Sequence, residues 1–291
     1  MYIAGFVLFA IIFFIPDNAH AWGPATHIEL SLSVLKAYAK LPHDVASVIG
    51  RYSFDFIYGN ISADIVVAKN LAEELKHCHN WRFGWKLLKK AENDSQRAFA
   101  YGYLSHLAAD TVAHNHFIPE MTVKSFSSPL LRHIYWEMRF DSLADRRVWQ
   151  VPKRMVRSVN KENDLLLGAT LEDTLFSFKI NKTIFSSMMS LQRLRRWHAM
   201  LAILSAASKW TLDKKDKERY DSLCLAAIKE VLTKKTTAKH LLNDPTGKEA
   251  LLHAKAMAKK LRDMKRSGKN WKKPLDECLK DIKRNKLPAI H

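Results

Sequence analysis

The chain has 291 residues, a formal charge of +18 and 47% hydrophobic residues. This composition is typical of a globular protein and excludes a disordered chain, while the length suits one large domain or one domain with an extension. Its three cysteines allow at most one disulfide bond, which excludes a disulfide-stapled scaffold.

The first 21 residues have the pattern of a secretory leader. Residues 3–15 are almost entirely apolar, Pro16 ends the run, and Ala19 and Ala21 occupy the positions that a signal peptidase reads. We therefore expect an exported protein, periplasmic or secreted, whose mature chain begins at Trp22. The alternative is an uncleaved N-terminal anchor, in which Trp22 has no free amine.

The rest of the chain carries apolar residues at helical spacing, and no β-alternating run of useful length interrupts it. In chain order, helices are predicted over 26–41, 64–75, 81–91, 94–117, 129–147, 152–162, 189–212, 213–235, 247–266 and 275–286. The helix that begins at Asp94 is expected to be long and buried and to end before Pro119. The sequence thus predicts an all-α fold.

Side chains of the kind that bind metal ions recur between residues 22 and 141. His106 and Asp110 lie four residues apart on a predicted helix, so both face the same side and can meet one ion. His133 and Glu137 repeat this spacing on a later helix. Imidazole and carboxylate groups suit zinc, and two such pairs with Asp64 upstream predict a zinc centre.

Five motifs gather the candidate ligands: Trp22-x4-His27, Gly59-Asn-Ile-Ser-Ala-Asp64, His77-Cys-His79-Asn-Trp, His106-x3-Asp110-x5-His116 and His133-x3-Glu137. In ligand type, order and most spacings, the region from Trp22 to Asp141 resembles the zinc-dependent bacterial phospholipases C and the related single-strand-specific zinc nucleases. The resemblance implies an all-α catalytic domain, which we place at residues 22–212. The remainder, residues 213–291, is expected to form a basic helical C-terminal region in which this chain departs from the better-known phospholipases.

The resemblance also implies up to three clustered zinc ions. The first would be held by Asp64, His79, His106 and Asp110; the second, bridged through Asp110, by His27 and the amine and carbonyl of Trp22; and the third by His116, His133 and Glu137. Two choices stay open, because His77 competes with His79, and because helix geometry favours His114 on the face of Asp110 whereas the family pattern favours His116. Cys78 is either a soft zinc ligand or a small buried residue.

Bound zinc lowers the pKa of a coordinated water to about 7 and neutralises phosphodiester oxygens in the transition state, so the implied activity is hydrolysis of a phosphodiester by a zinc-bound hydroxide. Asp64 is the candidate to orient or deprotonate the attacking water. The alternative is a purely structural zinc site, but structural sites are usually closed and rich in thiolate.

The motifs resemble two branches of enzymes that act on different substrates. His133-x3-Glu137 and the segment from Ala100 to Asp110 resemble the phospholipases C, whereas Trp22-x4-His27 resembles the nucleases. We expect phospholipase C-like cleavage of phospholipid headgroups. The alternatives are a single-strand nuclease and a non-catalytic helical protein that binds metal or a polyanion.

Basic residues concentrate near the C-terminus, where residues 248–286 contain 14 lysines and arginines against 5 acidic residues. Ala250, Ala254, Met257, Leu261 and Met264 form a narrow apolar stripe that either contacts an anionic membrane or packs on the catalytic domain, and packing is the preferred interpretation. If a disulfide forms, Cys224 and Cys278 are the expected pair.

Overall fold

The fold is taken from a computed structural model, which describes residues 22–65, 79–128, 133–151, 161–171 and 208–284, with 183, 199, 202, 203, 205 and 206. The predicted leader, His77, Cys78 and most of the helices expected over 64–75, 152–162 and 189–212 lie outside the described residues. The domain boundary at residue 212 stays a prediction.

Helices make up the structure, and the described residues contain no β-strand, which confirms the all-α prediction. In chain order, the α-helices are α1 (Pro24–Lys36), α2 (His43–Arg51), α3 (Ser53–Ser62), α4 (Trp81–Lys90), α5 (Asp94–Val112), α6 (Ile118–Lys124), α7 (His133–Asp141), α8 (Lys161–Thr170), α9 (Lys214–Lys234), α10 (Lys248–Arg266) and α11 (Lys272–Arg284). Short 3-10 turns cover Tyr38–Lys40, Arg146–Gln150, Lys235–Thr237 and Lys239–Leu242, and a π-helical turn covers Ala113–Phe117. Among the described helices, none is long and apolar enough to cross a membrane.

The long buried helix differs from its prediction at its C-terminal end. The α-helix ends at Val112, and the chain continues through the π-helical turn into α6, which includes Pro119. Proline is tolerated there because the first turn of a helix needs no donor from its backbone. Pro119 therefore begins a new helix instead of ending the old one.

Helix α5 lies at the centre of the fold and is buried along nearly its whole length. Its closest neighbour is α3, and the two backbones touch: a Cβ at Gly59 would lie 1.9 Å from the carbonyl oxygen of Phe99, and one at Gly102 would lie 2.0 Å from that of Phe56. The two glycines thus allow an unusually close crossing of α3 and α5.

The C-terminal helices pack on this centre in two ways. Helix α9 contributes Tyr220, Cys224 and Ile228 to the same core cluster as Trp22. Helices α10 and α11 form a smaller cluster with α6, in which the shared apolar residues are Val123, Phe126, Ala254, Ala258, Leu261 and Ile282. The apolar stripe of α10 thus packs on the protein, as preferred from the sequence.

The expected cysteine pair does not form in the structure. Cys224 and Cys278 are both free thiols. Cys224 is buried in the core cluster around α5, whereas Cys278 packs beside the cluster of α10 and α11. Their separation into two clusters explains why these two described cysteines do not pair.

Candidate metal centre

Five of the predicted ligands meet beside the middle of α5. His106 and Asp110 lie on α5, His27 on α1, Asp64 in the turn that follows α3, and His79 just before α4. All five are buried, with Asp64 the most exposed at 6%. Residues far apart in the sequence therefore form one enclosed cluster of imidazole and carboxylate groups.

The two carboxylate oxygens of Asp110 face different histidines. Its Oδ2 lies 3.0 Å from Nε2 of His106 and 3.5 Å from Nε2 of His79, while its Oδ1 lies 3.4 Å from Nε2 of His27. On the Oδ2 side, Nε2 of His79 lies 3.0 Å from that of His106 and 3.4 Å from Oδ1 of Asp64. The rings of His27 and His106 also stack, with centroids 4.0 Å apart, so the ligands form one continuous cluster around Asp110. Within it, each oxygen of Asp110 has its own imidazole nitrogen within reach, as a bridging carboxylate needs.

Asn60 orients two of these histidines. Nδ1 of His27 donates to the side-chain oxygen of Asn60 at 3.0 Å, and Nδ1 of His106 donates to its backbone oxygen at 2.7 Å. A hydrogen bond at Nδ1 fixes the tautomer that leaves Nε2 free to bind metal, and such bonds raise metal affinity. The backbone of Asn60 can reach His106 because Gly59 and Gly102 let α3 and α5 cross closely.

The sequence contained Asn60 inside the motif that ends at Asp64, but no role was assigned to it. Asn60 follows Gly59 on a wholly buried turn of helix α3. A buried amide side chain needs a polar partner, and this requirement is the signal that could have pointed to a role for Asn60. Helix α3 itself was not predicted, so the contact could not be anticipated.

Capping interactions place the remaining ligands. The side chain of Asn80 accepts from the backbone N–H of Phe83 at the start of α4, immediately after His79. The side chain of Asn93 accepts from the backbone N–H of Gln96 and so fixes the first turn of α5. The first cap fixes the chain directly after His79, and the second fixes the start of the helix that carries His106 and Asp110.

The spacing of these atoms fits zinc. Ligand atoms about 2.1 Å from a tetrahedral ion lie about 3.4 Å from one another, which matches the separations around Asp110. Nε2 of His27 and both carboxylate oxygens of Asp110 are buried yet make no contact with hydrogen-bond geometry. Buried polar atoms at these separations, aimed at a common centre, are expected of ligands that share an ion.

Electrostatics also favour metal binding at Asp110. Complete burial by itself would raise the pKa of this carboxyl, but the facing His106 and His27 outweigh that effect and hold the pKa below its usual range. Asp110 is therefore ionised, and a carboxylate must be ionised to bind a cation.

A second group contains His114, His133 and Glu137, whose ligand atoms all lie within 4.8 Å of one another. Nε2 of His133 lies 2.9 Å from Oε1 of Glu137, and the rings of His114 and His133 have centroids 5.0 Å apart. Burial and the neighbouring His133 lower the pKa of His114, which favours the neutral imidazole that a metal requires. These three residues have the composition expected of a third zinc site.

His114 is oriented by the segment Asn243–Gly247, which we call the strap. Its Nδ1 donates to the carbonyl oxygen of Pro245 at 2.5 Å. Gly247 touches the same histidine, since a Cβ at this residue would lie 2.5 Å from Cβ of His114. Asn115 and Trp81 also donate to strap carbonyls, those of Asp244 and Asn243. The strap therefore holds His114 from the side opposite to its metal-facing nitrogen.

The structure differs from the sequence-based choice of His116 as the ligand beside His133 and Glu137. His116 is absent from all three possible ligand groups found among the described residues. Its surroundings include the side chains of Arg219, His240 and Glu120, and burial, followed by Arg219, lowers the pKa of His116 to about 4. Because His114 lies one α-helical turn after Asp110, it takes the place next to His133, as helix geometry favoured.

Trp22 lies at the edge of the first cluster. Its side chain is fully buried, packs on Phe140 and Phe117 with ring centroids 4.0 and 4.8 Å away, and donates from Nε1 to the carbonyl oxygen of Ala109 at 3.2 Å. This contact anchors the start of the described chain one residue from Asp110. The role of the Trp22 amine and carbonyl as ligands stays a prediction.

Comparison with known proteins gives one match. The profile of the family described as zinc dependent phospholipase C matches residues 26–179, which is more than half of the chain and includes every candidate ligand except Trp22. Searches of curated proteins and of solved structures found no match.

Proposed function

The chain belongs to the zinc-dependent phospholipase C family, and from this membership we propose that it is an exported hydrolase that releases phosphorylated headgroups from phospholipids. Export is supported by the leader pattern of residues 1–21. The single observation that carries the catalytic proposal is the carboxylate of Asp110, whose Oδ1 faces His27 and whose Oδ2 faces His79 and His106.

The chain offers ligands for up to three zinc ions. Asp64, His79, His106 and Asp110 would hold the first, and Asp110, His27 and the amine and carbonyl of Trp22 the second. His114, His133 and Glu137 would hold the third, with His114 replacing His116. When bound, zinc supplies the Lewis acidity that activates water and neutralises charge on a phosphodiester.

Asp64 is our candidate catalytic residue. Its Oδ1 lies 3.4 Å from Nε2 of His79 and 3.9 Å from Nε2 of His106, so its carboxylate borders the first group of ligands. A carboxylate in this position can accept a hydrogen bond from the attacking water and take up its proton. The buried setting strengthens these interactions because little solvent competes with them.

The test combines metal content with two activities. Mature protein whose N-terminus has been sequenced should contain about three zinc ions and should release phosphocholine from phosphatidylcholine in a chelator-sensitive reaction. Asp110→Asn should lose most of its zinc and activity, because an amide cannot bridge two cations as a carboxylate does. The exposed Glu92→Gln makes the same carboxylate-to-amide change outside the ligand groups and the C-terminal helices; it is the matched control and should behave as the wild type.

Other results of the same measurements would favour a nuclease or a non-catalytic protein. Release of nucleotides from single-stranded nucleic acid without phosphocholine release would assign the nuclease activity instead. Less than one zinc per chain with neither activity would leave a non-catalytic binding protein. A mature chain that retains residues 1–21 would remove the Trp22 amine from the ligand set.

A further inference from the structure

Helices α10 and α11 present a strongly basic surface to solvent, which we call the basic face. Its exposed cationic residues are Lys248, Lys255, Lys259, Lys260, Lys265, Arg266, Lys269, Lys272, Lys273, Lys280 and Lys283. Five acidic residues, also exposed, lie among them: Glu249, Asp263, Asp276, Glu277 and Asp281. The basic face therefore keeps a clear positive excess, which favours an anionic partner.

The packing of α10 shows which of its sides is available. Ala254, Ala258 and Leu261 are buried against α6, so the apolar stripe already has its partner inside the protein. The lysines on the remaining sides include Lys255, Lys259 and Lys260, for which the described structure gives no ion pair. These ammonium groups are free to meet an external surface.

Two exposed leucines distinguish between anionic partners. Leu252 is 59% exposed and lies on α10 three residues before Lys255, and Leu242 is 89% exposed and directly precedes the strap that leads into α10. Bulky apolar side chains beside a basic face suit a lipid interface, where the cations meet headgroups and the leucines enter the acyl boundary. Phosphate groups of nucleic acid would satisfy the lysines but give the leucines no apolar contact.

The basic face is also connected to the metal centre. Helix α10 begins at Lys248, directly after the strap whose Pro245 and Gly247 contact His114. At 1.5 Å per residue, its 19 residues extend about 28 Å from this end. Contact between the basic face and a bilayer would therefore bring the third ligand group close to the lipid surface.

We propose that the basic face, together with Leu242 and Leu252, binds the anionic headgroup surface of a phospholipid bilayer and so delivers the metal centre to lipids in that bilayer. The benefit of bringing the metal centre to lipid substrate rests on the proposed phospholipase function, whereas binding of the basic face to the bilayer does not.

The experiment measures binding of the zinc-loaded protein to sedimenting vesicles. Vesicles of phosphatidylcholine mixed with phosphatidylglycerol should bind the protein far more tightly than vesicles of phosphatidylcholine alone, and added salt should weaken the difference. The variant Lys255→Gln/Lys259→Gln/Lys260→Gln should bind the mixed vesicles more weakly by roughly 100-fold, from the usual contribution of each basic residue near an anionic surface. The variant Leu242→Ser/Leu252→Ser should also bind them more weakly.

The matched control is Lys36→Gln/Lys40→Gln/Lys215→Gln, which removes three exposed lysines outside helices α10 and α11. This control should bind mixed vesicles within a few-fold of the wild type. Equal losses in both lysine variants would overturn the proposal, since they would show a general charge effect. The proposal also fails if the C-terminal variant keeps vesicle binding but loses binding to single-stranded nucleic acid.

Hydrolysis of a soluble short-chain phosphatidylcholine separates the two proposals. If the C-terminal lysine variant keeps this activity and its zinc but no longer cleaves lipid in mixed vesicles, both proposals hold. If the wild type binds anionic vesicles through the basic face but hydrolyses no lipid, the docking inference holds and the phospholipase function fails.

Discussion

Asp141, the last residue of α7, accepts hydrogen bonds from both the backbone N–H and the hydroxyl of Thr26, at 2.8 and 2.6 Å. It also accepts from the backbone N–H of Ala25 at 3.1 Å, so the start of α1 is capped from another helix. Helix α7 carries His133 and Glu137, and α1 carries His27. The carboxylate of Asp141 thus ties together two helices that serve different groups of ligands.

Replacement of Asp141 by asparagine tests this connection. The Asp141→Asn amide can still accept from Thr26, but its NH2 group then faces the N–H of Ala25, and a buried donor is left without an acceptor. We expect the free energy of unfolding to fall by about 2 kcal/mol, measured by urea denaturation of the metal-free protein. The exposed Asp276→Asn should change it little, and an equally small effect at Asp141 would contradict the proposed cap.

The identity of the ligand beside His133 and Glu137 can be decided by zinc content. His114→Gln should lose about one zinc ion per chain, because the group then keeps too few ligands to hold an ion tightly. His116→Gln should retain the wild-type content, since His116 lies in none of the possible ligand groups. The reverse pattern in elemental analysis would restore the assignment that the resemblance implied.

Because α3 and α5 cross so closely, a single added methyl group at the crossing should lower the stability of the protein strongly. Gly59→Ala would place its Cβ 1.9 Å from a backbone oxygen, which cannot move without shifting a helix. We expect a loss of at least about 3 kcal/mol in stability, together with weaker zinc binding, because Asn60 would move away from His106.

Gly84→Ala on α4 is the control, because its Cβ would meet only the side chains of Leu104 and Leu107. Leucine side chains can adjust, and alanine has a higher helix propensity than glycine. The loss of stability in Gly84→Ala should therefore be much smaller than in Gly59→Ala. Thermal unfolding of the metal-free proteins compares the two. If both substitutions cost the same, the backbone contact does not control the crossing.

Acid should weaken the attachment of the segment before the strap to α9. Glu230 on α9 accepts from the backbone N–H of Lys239, at 3.3 Å, and from His240. Burial opposes ionisation of Glu230, but His240 and Lys234 outweigh it and lower its pKa from 4.5 to about 2.

Because the unfolded chain takes up this proton at higher pH than the folded protein, stability is lost as the pH falls from 4.5 towards 2. Glu230→Gln should therefore destabilise the metal-free protein by about 2 kcal/mol at pH 7, with the difference from wild type shrinking below pH 4.5. Denaturation at a series of pH values measures this. A difference that stays constant with pH would show that the ionised carboxylate contributes nothing.

Local patterns in the sequence were sufficient for part of this structure. The helical spacing over 94–112 and the two i, i+4 pairs, His106 with Asp110 and His133 with Glu137, predicted the central helix and neighbouring ligands on common helix faces. Such pairs are local, so a single helix is enough to bring their members together.

The missing parts depend on contacts between distant segments. Helix α3 was not predicted because it is rich in aromatic residues and buried on every side from Phe56 to Ser62, so this part shows no polar face. The choice between His114 and His116 depended on the π-helical turn and on the strap, neither of which has a periodic pattern. The role of Asn60 required both α3 and its crossing with α5.

The hydrogen bond between His114 and Pro245 joins residues 131 positions apart. A ribosome makes all the candidate ligands well before it adds the carbonyl group that orients one of them, so the third group can take its final form only when synthesis has passed Pro245. A chain terminated shortly before the strap would carry every ligand and still lack a finished site.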